Sequence, residues 1–296
     1  MSGYSYEDTD YTRLFDLLGA CLVSGRVDAE LLSTNLRLTL SNPAFDRSDT
    51  HVIEADGSLA AFAILWQGYA LGMLVHPARQ GQLEPRLLDW AERRHAAGTT
   101  ERRMVVLSRD DDTFLRDLLE QRGYQIRDEE LRMGRDLGGD LPDLSPPAGI
   151  TIRPLASDAE LDDWLALYAE AFGPRPNKLR HWRAMRADPD HRPALDLVAV
   201  ASDGRLAGFC YCSIAGFEAS NLPNAPGRTE PIAVSGHARG QGLGRALVVA
   251  GLRALQHEGA SAVLLTTEAD NAGAHRLYSS LGYRELYRAR WYHRGY

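Results

Sequence analysis

Hydrophobic positions in the second half of the chain change their period along its length, and each change predicts an element. Ile150-Thr151-Ile152-Arg153-Pro154-Leu155 alternates apolar and polar, the two-residue period of a strand. Ser157-Asp158 then offers a helix N-cap before LDDWLALYAEAF, whose apolar residues recur at helical spacing over about 158–172. A second helical stretch covers about 177–187. Strands near 195–202 and 205–215 flank the hairpin signal Asp203-Gly204. A long loop, GFEASNLPNAPGR, leads to a strand near 229–235 and a glycine-rich turn. A helix over about 242–258, a strand VLLTTE at 263–268, a helix over about 272–281 and a strand from Arg284 to His293 complete the series. This alternation predicts an α/β or α+β fold on a mixed sheet.

The same order is written twice. Asp111-Asp112 before TFLRDLLEQRGY matches Asp270-Asn271 before AGAHRLYSSLGY, and Gly123-Tyr124 matches Gly282-Tyr283 159 residues later. Upstream, Ala78-Arg79-Gln80-Gly81-Gln82-Leu83-Glu84 aligns with Ala238-Arg239-Gly240-Gln241-Gly242-Leu243-Gly244. Asp56-Gly57 and Asp203-Gly204 both sit between strand-like runs. Between the copies, LGGDLPDLSPPAG concentrates Gly, Pro, Asp and Ser without hydrophobic periodicity. The reading is therefore a first domain over residues 1–137, a linker over 138–149 and a second domain over 150–296.

Composition narrows the chemistry. The 296 residues are 44% hydrophobic and 25% charged, as in an ordinary globular chain. A net charge of −7 gives no overall basic field, so nucleic acid is not an expected partner. The N-terminal MSGYSYEDTDY is too polar for a signal peptide, and no apolar run approaches the ~18 residues of a membrane span. The expectation is a cytoplasmic protein without membrane association. Cys21, Cys210 and Cys212 are too few for a disulfide framework, and the Cys210-Tyr211-Cys212 strand reads as packing. No metal-ligand spacing is present.

The candidate chemistry lies where Ile232-Ala233-Val234 runs through Ser235-Gly236-His237-Ala238 into Arg239-Gly240-Gln241-Gly242-Leu243-Gly244-Arg245 and a long helix. Glycines let consecutive amides point into one concavity, and the helix start adds free N–H groups and partial positive charge. Such a turn binds phosphate. It lacks the spacing of a dinucleotide fingerprint and the Lys-Ser/Thr of a Walker loop.

Arg239-Gly240-Gln241-Gly242-Leu243-Gly244 resembles the acyl-CoA loop of the GNAT superfamily of N-acetyltransferases. Asn271-x-x-Ala274-x-x-Leu277-Tyr278-x-x-Leu281-Gly282-Tyr283 resembles that superfamily's next landmark. The likeness covers residues 150–296, while the first half matches as a degraded copy. The tandem arrangement is similar to that of mycothiol synthases and other tandem members. The resemblance implies an acetyl-CoA-dependent N-acetyltransferase acting on a primary amine of a small molecule or a peptide N-terminus. A nonenzymatic acyl-CoA sensor or scaffold is the alternative, and a transferase using aminoacyl-tRNA is a third reading that the acidic charge disfavours.

Carried residue by residue, the resemblance implies that amides from Arg239 through Gly240, Gln241, Gly242, Leu243 and Gly244 to Arg245 hold the pyrophosphate of coenzyme A. Amides near Ile232, Ala233 and Val234 hold the pantetheine arm and acyl carbonyl. Asn271 sits beside the arm or serves as an N-cap. Tyr278 is the general acid for the leaving thiolate, and Leu119 replaces it in the first copy. Glu230 is the candidate base, with Pro231 beside it departing from the usual strand residue; Glu230, Ile232 and Val234 alternate onto one strand face. His237 and Glu268 are weaker candidates. Phe172, Arg175, Trp182, Arg183 and the 212–229 loop are expected to line the acceptor site. Gln82, Glu84 and Asp112 replace Gly242, Gly244 and Asn271 in the first copy, so one cofactor per chain is expected. The two copies are expected to pair within a monomer.

Overall fold

In the computed structural model the described residues are 3–25, 36–42, 44–98, 101–174, 178–188, 191–214 and 226–295. Twelve strands are β1 (Gly3–Tyr4), β2 (Thr50–Ala55), β3 (Ser58–Trp66), β4 (Ala70–Val75), β5 (Arg103–Arg109), β6 (Gln125–Asp136), β7 (Ile150–Pro154), β8 (Asp196–Ala201), β9 (Leu206–Ile214), β10 (Gly227–Val234), β11 (Ala262–Glu268) and β12 (Arg284–Gly295). The principal helices are α1 (Tyr11–Val23), α2 (Glu84–Gly98), α3 (Thr113–Gln121), α4 (Leu161–Phe172), α5 (Lys178–Arg186), α6 (Leu243–His257) and α7 (Ala272–Ser280).

The repeat read from sequence is present element by element. β2 and β8 each have six residues, β3 and β9 nine, α2 and α6 fifteen. β5 and β11 each have seven, α3 and α7 nine, β6 and β12 twelve. Both copies are mixed sheets with helices on their faces, the α/β class expected.

Two compact units result, and their edges do not follow chain order. One comprises residues 1–131, 268–270 and 287–296; the other comprises 132–267 and 271–286. Within the first unit the strand order is β1-β2-β3-β4-β5-β12, with β12 antiparallel to β5 from Ala289↔Arg109 to Gly295↔Arg103. Within the second it is β6-β11-β10-β9-β8-β7. The domain limits at 137 and 150 therefore need correction: the end of β6 belongs to the second unit and most of β12 to the first. Each closing strand covers a neighbour that would otherwise be an open edge. Leu137 and residues of the expected linker are held to α6, where Gln256 Nε2 donates to the Leu137 and Gly139 carbonyls and Arg253 Nη2 to that of Pro142.

The core of the first unit is organised by β3, whose SLAAFAILW is buried from Leu59 to Leu65. Phe62 and Ile64 pack with α1 through Leu14, Leu17 and Leu18, while Ala61, Ala63 and Leu65 pack with α2 through Leu87, Leu88 and Ala91. In the second unit Phe209 and Ala233 face Trp164 and Leu167 of α4 and Trp182 of α5. Cys210 and Cys212 face the other way, toward α6. Gly251 permits that approach, since a Cβ there would lie 2.8 Å from Cys212 Sγ and 3.1 Å from Cys210 Sγ. The thiols are buried, 3.6 Å apart, and act as packing groups.

Candidate functional site

The site begins where β10 leaves β11. These parallel strands pair at Gly227↔Val263 and Arg228↔Leu264, at their starts only, so they part toward Val234 and open a wedge. On its other side β10 stays paired with β9, but the register slips. Thr229 faces Cys212 and Ile232 faces Cys210, which leaves Glu230 and Pro231 together opposite Tyr211. This is a bulge, with two residues against one. It overturns the expected alternation: Ile232 and Val234 share a face with Thr229, not with Glu230. Pro231 brings no N–H of its own, consistent with its place in an interruption of the ladder.

Glu230 reaches across the wedge. Its Oε2 accepts from the Thr266 N–H at 2.7 Å, and its Oε1 is bonded by Arg228 Nη2 and lies 3.7 Å from Arg132 Nη1. Arg132, 3% exposed at its side chain, also bonds Thr266 Oγ1. The carboxylate thus substitutes for the missing strand pairing and is engaged at both oxygens. That differs from the expectation of a carboxylate free to take a proton. Arg132 was not readable as part of this site, because in sequence it precedes the linker.

Beyond Val234 the chain turns through Gly240 (φ +74°) and Gly242 (φ +82°), with open space around both. Any side chain at 242 would be strained in this left-handed conformation. Gly242 is the N-cap of α6, with no side chain capping it. The amides of Leu243, Gly244 and Arg245 therefore retain free N–H groups at the positive end of the helix. Arg239 Nε donates to the Val234 carbonyl at 3.1 Å and Gln241 Nε2 to that of His237 at 3.1 Å, so both side chains fold onto the loop.

The matching turn of the first copy is filled from within. Glu84, 6% exposed, accepts from the Gly81 N–H at 3.1 Å and the Leu83 N–H at 3.2 Å. Its carboxylate takes the donors that an anion would need. Burial raises its pKa, and nearby Asp112 adds to the rise, while the three backbone N–H bonds oppose it. Sequence showed the wrong charge here; the structure shows that this charge occupies the nest itself.

α7 lies against the start of α6. A Cβ on Gly244 would be 3.7 Å from Val234 Cγ2 and 3.9 Å from Leu277 Cδ2, and Arg245 bonds Ser280 at the end of α7. Tyr278 follows Leu277, its ring 5.6 Å from that of Tyr283. Among the described residues its hydroxyl has no hydrogen-bond partner, and burial, with Cys210 nearby, pushes it up to about 12. Tyr283, by contrast, shares a 2.9 Å bond with Thr229 Oγ1. Asn271 Oδ1 accepts from the Ala274 N–H at 3.0 Å as an N-cap, as Asp112 does for Leu115 in the first copy. Leu119, at the position matching Tyr278, is fully buried.

A further cluster escaped the sequence reading. Glu170 of α4 accepts from the Gly236 N–H at 2.6 Å and from Ser235 Oγ, and Ser235 Oγ lies 2.7 Å from His237 Nδ1. The Gly236 amide, with Ser235 and the charges of Arg239 and His237, holds Glu170 below the usual carboxylate range. Nothing in local spacing connects residue 170 to 236. Of the expected acceptor-site residues, Trp182 is 2% exposed and stacked 4.1 Å from Trp164, so it is core and not lining. Phe172 is 41% exposed; Arg175 and residues 215–225 lie outside the described residues.

The profile of the acetyltransferase (GNAT) family matches residues 159–283. A mycothiol acetyltransferase of Kineococcus radiotolerans is 34% identical over 286 residues, 90% of this chain and 88% of that one. One of Salinispora arenicola is 30% identical, over 95% of this chain and 92% of that one. Among solved structures, a GCN5-related N-acetyltransferase from Sphaerobacter thermophilus superposes with a TM-score of 0.74 at 24% identity, covering 99% and 95% of the two chains. A tandem GNAT protein from the clavulanic acid biosynthesis pathway gives 0.72 at 16% identity over 99% and 98%.

Proposed function

This chain belongs to the GNAT family of acetyltransferases, and from that premise we propose that its second unit transfers the acetyl group of acetyl-CoA to the primary amine of a small molecule, of the kind a mycothiol acetyltransferase serves. The observation that carries the reading is the contrast between the two turns: a nest of free amides at Gly240–Arg245 in one copy, the same nest filled by Glu84 in the other.

The residues present fit coenzyme A. Uncapped amides from Leu243 to Arg245, beside two left-handed glycines, suit its pyrophosphate. Along Ile232–Val234, backbone groups not used by β9 face the wedge and suit the amide-rich pantetheine arm. When bound, coenzyme A supplies an activated thioester. The β10 amides then hold its acyl oxygen and increase the charge it can accept as the amine attacks. Tyr278 donates a hydrogen bond to the departing sulfur. With its hydroxyl near 12, full proton transfer to a thiolate, whose acid ordinarily titrates near 8.5, runs uphill; donation without transfer is the role that fits. Glu230 keeps the wedge open as a strut between β10 and β11, and the acceptor amine loses its proton to solvent.

The test is calorimetric titration with acetyl-CoA beside an amine screen read by thiol release. One site per chain is expected, abolished by Gly242→Glu, with turnover on a mycothiol-type amine. Two equivalent sites, or tight binding retained in that variant, overturn the reading; binding without turnover of any amine favours an acyl-CoA sensor instead.

A further inference from the structure

The first unit contains a pocket of ≈ 440 Å³ lined by Arg103, Gln125, Arg127, His293 and Arg294, with Gly123 and Gly295 completing it. Arg103 opens β5, and Gly123 follows α3. The pocket therefore lies at the opposite ends of these elements from Asp112, the neighbour of Glu84, and is separate from the filled turn.

The charged residues of its lining are all basic. Arg103, Arg127, Arg294 and His293 are among its lining residues, and no Asp or Glu is. Three of these basic groups also have an acid nearby: Glu101 is 3.5 Å from Arg103, Glu92 is 2.8 Å from Arg294 and Asp128 is 3.8 Å from His293. Arg127 makes no ion pair among the described residues, and its Nη2 donates to Gln125 Oε1 at 3.3 Å. Guanidinium forks pair in planar, bidentate fashion with phosphate oxygens. The volume is within the range of small-ligand sites.

We propose that this pocket binds a small phosphate-bearing anion, so that the copy that has lost its coenzyme A nest retains a ligand site at its other end. Electrostatics at His293 agree. Burial lowers its pKa, and Arg103 and Arg127 lower it further against the opposing pull of Asp128. An anion placed among these groups relieves that repulsion, so binding strengthens as pH falls and His293 takes up a proton.

Proton NMR of the histidine rings in the full chain tests this, with coenzyme A saturating so that the glycine turn of the second unit is already filled. Ionic strength is held constant, and the His293 signal is identified by its loss in His293→Gln. Inorganic phosphate and pyrophosphate are expected to shift that signal saturably and to raise its titration midpoint by about one unit. Arg103→Gln with Arg127→Gln, both at exposed positions, is expected to weaken saturation at least ~10-fold while coenzyme A binding stays intact. No saturable shift, or equal affinity in the double variant, overturns the site. Equal saturation by citrate overturns the assignment to phosphate.

Discussion

The side chains of Tyr278 and Glu230 are constrained in opposite ways. Among the described residues the Tyr278 hydroxyl has no hydrogen-bond partner, so its proton is available to a ligand. Tyr278→Phe keeps the ring against Tyr283 and removes only the donor. A kcat lower by at least ~10-fold is expected, with KM for acetyl-CoA nearly unchanged, because the proposed bond to sulfur would strengthen as charge develops. An unaltered kcat with a good acceptor would remove Tyr278 from the mechanism. Glu230 has its oxygens engaged by Thr266, Arg228 and Arg132. Glu230→Gln can keep the Thr266 bond but leaves two guanidiniums facing each other. A stability loss of about 1–3 kcal/mol is expected by chemical denaturation. Activity should fall while the pH–rate profile keeps its shape; loss of the acidic limb of that profile would instead identify Glu230 as the base.

The helix starts carry the difference between the two copies. α6 begins at an uncapped left-handed glycine, whereas α2 begins at a buried carboxylate that serves the amides before it. Because the folded-state pKa of Glu84 is raised, the folded unit holds a proton that the unfolded chain releases near the ordinary carboxylate value. Stability should therefore decline as pH rises from about 4.5 through the raised value, then level off. Urea midpoints across pH 4 to 8 check this, and Glu84→Gln should flatten that part of the curve; an unchanged slope would remove Glu84 as its source. The glycine turns, the cap at Asn271 and the helix and strand periods were legible in sequence, because each is set by residues within a turn or two. The bulge at Glu230-Pro231 was not legible, since alternation continues on paper where the ladder slips. Arg132 and Glu170 reach the site only through tertiary pairing, which leaves no local spacing to read.

At the scale of the chain, the closing strands decide what counts as a folding unit. Residues 132–136 lie beside β11, and residues 289–295 lie beside β5. A fragment of residues 132–286 keeps the second unit whole and is expected to fold and bind coenzyme A. A fragment of 150–296, the division that the linker suggests, lacks the end of β6 and exposes β11 as an edge; poor solubility and no cooperative thermal transition are expected. Circular dichroism and calorimetry on both fragments decide this, and equal behaviour would make the exchanged strands dispensable. The exchange also sets an order of events at the ribosome. When the first copy has emerged, β5 is paired with β4 on one side but still lacks β12 on the other, so the first unit's sheet cannot be sealed until residues 289–295 have been made, after the whole second unit. Through the synthesis of almost the entire second half, the apolar strand Met104-Val105-Val106-Leu107 therefore keeps one open edge, the kind of exposed edge that favours misassembly.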